Sequence, residues 1–114
     1  MAELICEMIM TQGRRGNMTE TGIKPLVIQE IRKLAEKYGV NKVILFGSRA
    51  RGDYRPKSDI DLAVQGGDTV RFSLDVDEET STLLKYDIVD LDASVQKELL
   101  ESISKEGIVI YEKI

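Results

Sequence analysis

The sequence predicts a single mixed domain, α/β or α+β, in which a small mixed β-sheet is flanked by helices. Three observations predict it. Apolar residues recur at helical spacing just after Pro25, where Val27, Ile31, Leu34, Ala35 and Tyr38 share one face. Two short apolar stretches then follow, a continuous run at 43–46 and an alternating one at 60–64. Beyond them, helical and strand-like patterns alternate to the end of the chain, in 114 residues that suffice for one modest core.

Residues 1–22 are polar and glycine-containing apart from their first ten, and read as a loose leader ahead of a domain at 23–114, with Met18 as a candidate start. A helix is expected over 25–38, with Pro25 suited to the first turn and Gly39 to the position beyond the end. Residues 43–46 (Val-Ile-Leu-Phe), closed by Gly47, read as a buried strand. Ile60, Leu62 and Val64 alternate with Asp59, Asp61 and Ala63, so a second strand would turn its apolar row to the core and both aspartates to the other face. Gly66 and Gly67 break the chain, and Val70, Leu74, Val76, Leu83 and Leu84 suggest a helix over 69–84. A third strand is expected at 86–91, a helix at 95–104 with Val95, Leu99, Leu100 and Ile103 inward, and a last strand at 108–111 after Gly107.

Composition narrows the chemistry. Histidine is absent, which removes the commonest general base, histidine-dependent zinc sites and histidine-based nucleophile triads. Cys6 is the single cysteine, so no intrachain disulfide can form, and neither a signal peptide nor a membrane span is apparent; the cytoplasm is the expected compartment. The net charge of -4 offers nucleic acid no general attraction, although Arg49, Arg51, Arg55 and Lys57 form a local basic patch. Catalysis would rest on carboxylates and a metal.

The segment 45–64 concentrates those groups. Residues two apart in a strand point the same way, which sets the Asp59 and Asp61 carboxylates roughly 6–7 Å apart on one face. Left alone they repel; a bridging cation reverses the penalty, and all-oxygen donors suit magnesium, with manganese as a substitute. A pair of such ions is the arrangement that stabilises both oxygens in phosphoryl transfer. The third carboxylate would come from Asp87 or Asp90, which face opposite sides of a regular strand, so one of them at most reaches the metals. Gly47 permits a tight turn, Ser48 offers hydroxyl and N–H to a phosphate at the start of a short helix, and Arg49 and Arg51 offer fork-shaped donors. Singly, each feature has a structural explanation: Gly-Ser turns are common, aspartates cap loops, arginines and the Lys57-Ser58 pair sit in solvated turns. Together, between two apolar strands, they point to phosphate and metal. A Walker loop is excluded, since Gly52 is not followed by Lys-Ser/Thr.

Gly47-Ser48, ten intervening residues and Asp59-Ile60-Asp61 resemble the Gly-Ser-x10-Asp-x-Asp signature of the polymerase-beta-like nucleotidyltransferase superfamily. From about Pro25 onward the chain is similar to its minimal nucleotidyltransferase branch, whose Val-Asp-Leu-Val-Asp-Leu strand is resembled by Tyr86-Asp87-Ile88-Val89-Asp90-Leu91. The resemblance implies the fold of that superfamily, two magnesium ions held by Asp59, Asp61 and Asp87, with Asp90 in reserve, and a nucleoside triphosphate, ATP by preference, bound through Gly47, Ser48, Arg49, Arg51 and Ser58. It implies transfer of a nucleoside monophosphate to a hydroxyl with release of pyrophosphate. It further implies a small helical HEPN-type partner, encoded adjacently, that the transferase adenylylates as the antitoxin of a toxin–antitoxin pair. A binding antitoxin without chemistry and a transferase acting on a small aminoglycoside-like molecule are the alternatives, and self-association is left open.

Overall fold

The computed structural model describes residues 21–113; the leader up to residue 20, with Cys6 and Met18, lies outside the described residues. Thr21, assigned above to the leader, is packed at 1% exposure. Eight elements follow: helix α1 (Pro25–Lys37), strand β1 (Lys42–Phe46), the single-turn helix α2 (Ser48–Arg51), β2 (Ile60–Gln65), α3 (Thr69–Glu79), β3 (Tyr86–Asp90), α4 (Lys97–Glu106) and β4 (Ile108–Glu112). The sheet runs β3-β2-β1-β4. Strand β1 is antiparallel to both β2 and β4, whereas β2 and β3 are parallel and are joined through α3, which makes the sheet mixed.

Both faces of the sheet are covered, as the apolar strand residues require. On one face, Val43, Leu45, Ile60, Leu62, Val64 and Ile110 pack with Ile31 of α1 and Phe72 and Val76 of α3 in the larger core cluster. On the other, Phe46 and Ala63 pack with Ile103 of α4. The second face is thinly clad and leaves room for polar groups at its end. Pro25 stands in the first turn of α1, and Gly39 takes a left-handed conformation (φ 69°) just past its end, while Val40 N–H donates to the Ala35 carbonyl. Arg32 ties α1 to β4 by donating from Nε to the Ile110 carbonyl at 2.6 Å.

Two helices differ from their expectations. Helix α3 ends at Glu79 rather than 84: Thr80 leaves the helix at ψ 151°, its hydroxyl donates to the Val76 carbonyl, and Ser81 is held by Glu30. Its buried face is Phe72 and Val76, four apart, with Val70 and Leu74 71% and 58% exposed. Tertiary packing chose a face that the count of apolar residues did not. Helix α4 begins at Lys97, and Leu100, expected inward, is exposed while Leu99 and Ile103 face the sheet.

Candidate functional site

The polar groups gather where β1 ends and β2 and β3 begin. The register does the gathering: Phe46, last in β1, pairs with Asp61, and Asp61 pairs in parallel with Asp87. Laterally paired residues point to the same face, so Asp61 and Asp87 stand side by side on the face covered by α4. Asp59 precedes β2 by one residue and lies two before Asp61. Asp90 pairs with Val64, on the opposite face, where its Oδ1 accepts from Asp92 N–H at 2.9 Å. The choice left open between Asp87 and Asp90 is therefore resolved in position: Asp87 adjoins Asp61 and Asp90 does not.

Gly47 shapes the turn that follows β1. Its φ of 76° and ψ of -157° belong to a region that glycine occupies almost alone, and a Cβ there would overlap the Asp61 carboxylate. The missing side chain of Gly47 is thus the space that Asp61 fills. Ser48 opens α2, and its carbonyl accepts from the Gly52 and Asp53 N–H groups at 2.9 and 3.1 Å.

Asp61 shows the electrostatic cost of the arrangement. Burial pushes its carboxyl up from 3.8 to about 6, and the charges of Asp87 and then Asp59 push the same way, with Arg51 opposing and Glu106 adding to the rise. A buried carboxylate whose ionisation is disfavoured by two neighbouring acidic groups belongs to a donor set that a hard divalent cation would relieve. Among the described residues no three acidic side chains form a ready-made cage, but the all-oxygen chemistry of Asp59, Asp61 and Asp87 and the repulsion that Asp61 feels from the other two fit such an ion.

The basic residues divide by role. Arg51 is exposed on α2 and reaches Glu106 of α4 at 3.0 Å and Asp53 at 3.3 Å, beside Asp61. Arg49 is different: expected to grip phosphate, it is 2% exposed and spends its guanidinium on the carbonyls of Thr21, Arg55, Pro56 and Ser58, with the Tyr54 ring 4.8 Å away. Its guanidinium thereby ties down carbonyls of the 52–58 bend, which lie outside any strand or helix. Ser58 closes that bend, its hydroxyl accepting from Arg55 N–H at 2.8 Å. Glu106 and Tyr54 were missed in the sequence; Glu106 lies 45 residues beyond Asp61 and only the packing of α4 brings it near, and Tyr54 had no local signal beyond its place in the loop. A cavity of about 430 Å³ opens beside Asp59, lined also by Lys57, Leu83, Leu84 and Lys85.

A mixed sheet with paired aspartates at the mouth of parallel strands, behind a Gly-Ser turn, defines a nucleotidyltransferase. The chain belongs to the polymerase beta nucleotidyltransferase family, whose model matches residues 29–114. It is similar to a protein of Methanocaldococcus jannaschii named as a putative protein adenylyltransferase, with 39% identity over 93 residues that span 71% of this chain and 90% of that protein. Its fold is similar to that of a toxin–antitoxin crystal structure with AMP-PNP, at a TM-score of 0.62 and 23% identity, over 75% of this chain and 73% of the other. A mutant of the toxin–antitoxin MntA-HpeT gives a TM-score of 0.60 at 22% identity over the same shares. No helix among the described residues is long and apolar enough to cross a membrane.

Proposed function

We propose that this nucleotidyltransferase transfers AMP from ATP to a hydroxyl of a small helical HEPN-type protein, with magnesium, in the cytoplasm, as the antitoxin of a toxin–antitoxin pair. The observation that carries the proposal is the register that sets Asp61 beside Asp87, with Asp59 two residues away and the Gly47 turn folded over the Asp61 carboxylate. The relative at 39% identity, named for protein adenylylation, supports a protein acceptor, and the neighbour of the same fold that was crystallised with AMP-PNP supports ATP.

In this reading Asp59, Asp61 and Asp87 would hold magnesium, which would supply charge to neutralise the triphosphate and to acidify the acceptor hydroxyl. The acceptor oxygen bonds to the α-phosphorus, the bond from that phosphorus to the bridging oxygen breaks, pyrophosphate leaves, and the hydroxyl proton passes to solvent. The Gly47–Ser48 turn and Arg51 hold the β- and γ-phosphates, and Ser58 supports the loop behind them. Arg49 contributes through the loop rather than at the phosphates, because its donors are engaged with carbonyls. The acceptor approaches over the cavity beside Asp59, where Leu83 stands fully exposed at 103%.

Intact mass spectrometry of the helical protein encoded beside this chain, after incubation with the chain, magnesium and ATP, tests the proposal. The expected result is a gain of one or more AMP groups that is absent with Asp61→Asn. A stable complex without any mass change would leave a binding antitoxin instead.

A further inference from the structure

We propose that Arg49 is a positioning residue for the carboxylate of Asp59, and that Thr21 and Gly22, ahead of α1, belong to the same device. The inference rests on the metal-dependent reading above. Its geometry is complete within the protein. From α2 the side chain turns inward, and Nε and Nη2 both donate to the Ser58 carbonyl, at 3.1 and 3.0 Å. Nη2 also reaches the Pro56 carbonyl at 3.2 Å and that of Arg55 at 3.5 Å, while Nη1 donates to Thr21, 28 residues upstream, at 2.7 Å. Every guanidinium nitrogen therefore holds a backbone carbonyl.

Ser58 is the residue before Asp59, so its carbonyl belongs to the peptide plane that carries the Asp59 nitrogen. Two parallel donors on one carbonyl fix the direction of that plane as well as its position, and the plane sets where the Asp59 side chain starts. Lysine could supply charge at this place but not the planar fork. The surroundings are built to the guanidinium. Tyr54 lays its ring against it at 4.8 Å, and Gly22, at φ 72°, has no room for a side chain, since a Cβ there would lie 2.7 Å from Nη1 and 2.5 Å from the Tyr54 ring. To reach a triphosphate, Arg49 would have to release the buried Thr21 carbonyl and the part-buried carbonyls of Pro56 and Ser58, at a cost in stability.

Manganese binding to the full chain without nucleotide, followed by electron paramagnetic resonance of the free ion, separates the roles. Asp59→Asn is expected to weaken binding, and Arg49→Lys to weaken it roughly ten-fold, as loss of a supporting partner behind a metal ligand does. The double variant should bind no more weakly than Asp59→Asn alone, because both changes act through one carboxylate. Gly22→Ala should weaken binding in the same direction, and it carries the same cycle if Arg49→Lys melts below the assay temperature. Wild-type manganese affinity in Arg49→Lys with a raised Kd for ATP, read by direct titration, would overturn the proposal in favour of phosphate binding. Additive losses with Asp59→Asn would overturn it in favour of a general role in the fold, and so would a wild-type chain that binds no manganese. The measurement contains no acceptor, so failure of protein adenylylation would leave its outcome standing.

Discussion

Asp61 sits at the mouth of the sheet with its carboxyl raised to about 6 by burial, Asp87 and Asp59, so that without a cation its ionisation works against the fold. The folded state keeps a proton there that the unfolded chain releases near 3.8, so stability from this group is full below about 4 and is lost as pH rises through about 6. Asp61→Asn should therefore abolish transfer and yet raise stability at pH 7.5 by about 1 kcal/mol, a figure reduced for solvent screening. Thermal melts at pH 7.5 and pH 4 check this: the mutant's advantage should be present at the first and vanish at the second. Gly47→Ala should do the reverse, destabilising by about 1–3 kcal/mol in urea denaturation and displacing Asp61, because alanine at φ 76° is strained and its Cβ overlaps the carboxylate. Asp59, Asp61 and Gly47 were legible in the sequence because strand alternation and turn chemistry act over a few residues. The burial of Arg49 was not legible there, since an arginine in a Gly-Ser loop looks the same whether it faces phosphate or carbonyls.

Strand β3 carries both candidates for a third carboxylate, and its register decides which of them adjoins Asp61. Its parallel register with β2 puts Asp87 beside Asp61 and Asp90 beside Val64. Asp87→Asn is expected to lower the rate of AMP transfer by at least about 100-fold, the scale on which a preorganised electrostatic group acts, while Asp90→Asn stays within a few-fold of wild type. Single-turnover transfer to the partner compares the two. Helix α3 makes the complementary point about stability. Phe72→Ala should cost about 3–5 kcal/mol because its ring is wholly buried, and Val70→Ala, at a 71% exposed site, should change the midpoint little. Denaturant titration of both variants checks the assignment of the inward face. That face was not legible from periodicity, because Val70, Leu74, Phe72 and Val76 offer two overlapping apolar rows and only the sheet and α1 select between them.

At the scale of the whole molecule, one end of the sheet gathers the carboxylates and the two faces carry the core. The larger core under α1 and α3 holds the strands in register, and the thinner one under α4 leaves the end of its face open to Asp61, Asp87 and Glu106. Leu83, exposed at 103% beside the cavity lined by Lys57 and Asp59, adds nothing to that core. Leu83→Asp should thus leave the melting temperature unchanged and reduce modification of the partner, a combination that mass spectrometry and a thermal melt on one preparation would reveal. By itself the sequence determined the class of fold, the order of its strands and helices along the chain, the family signature and the carboxylates at 59 and 61, because these depend on spacing between near neighbours and on local conformational preference. Only the tertiary structure decided that Asp87 rather than Asp90 joins them, that Glu106 stands near Asp61 and that Arg49 binds Thr21 across 28 residues. Register, helix docking and the pairing of buried carbonyls bring together residues that are remote in the chain, and no local pattern records which of them will meet.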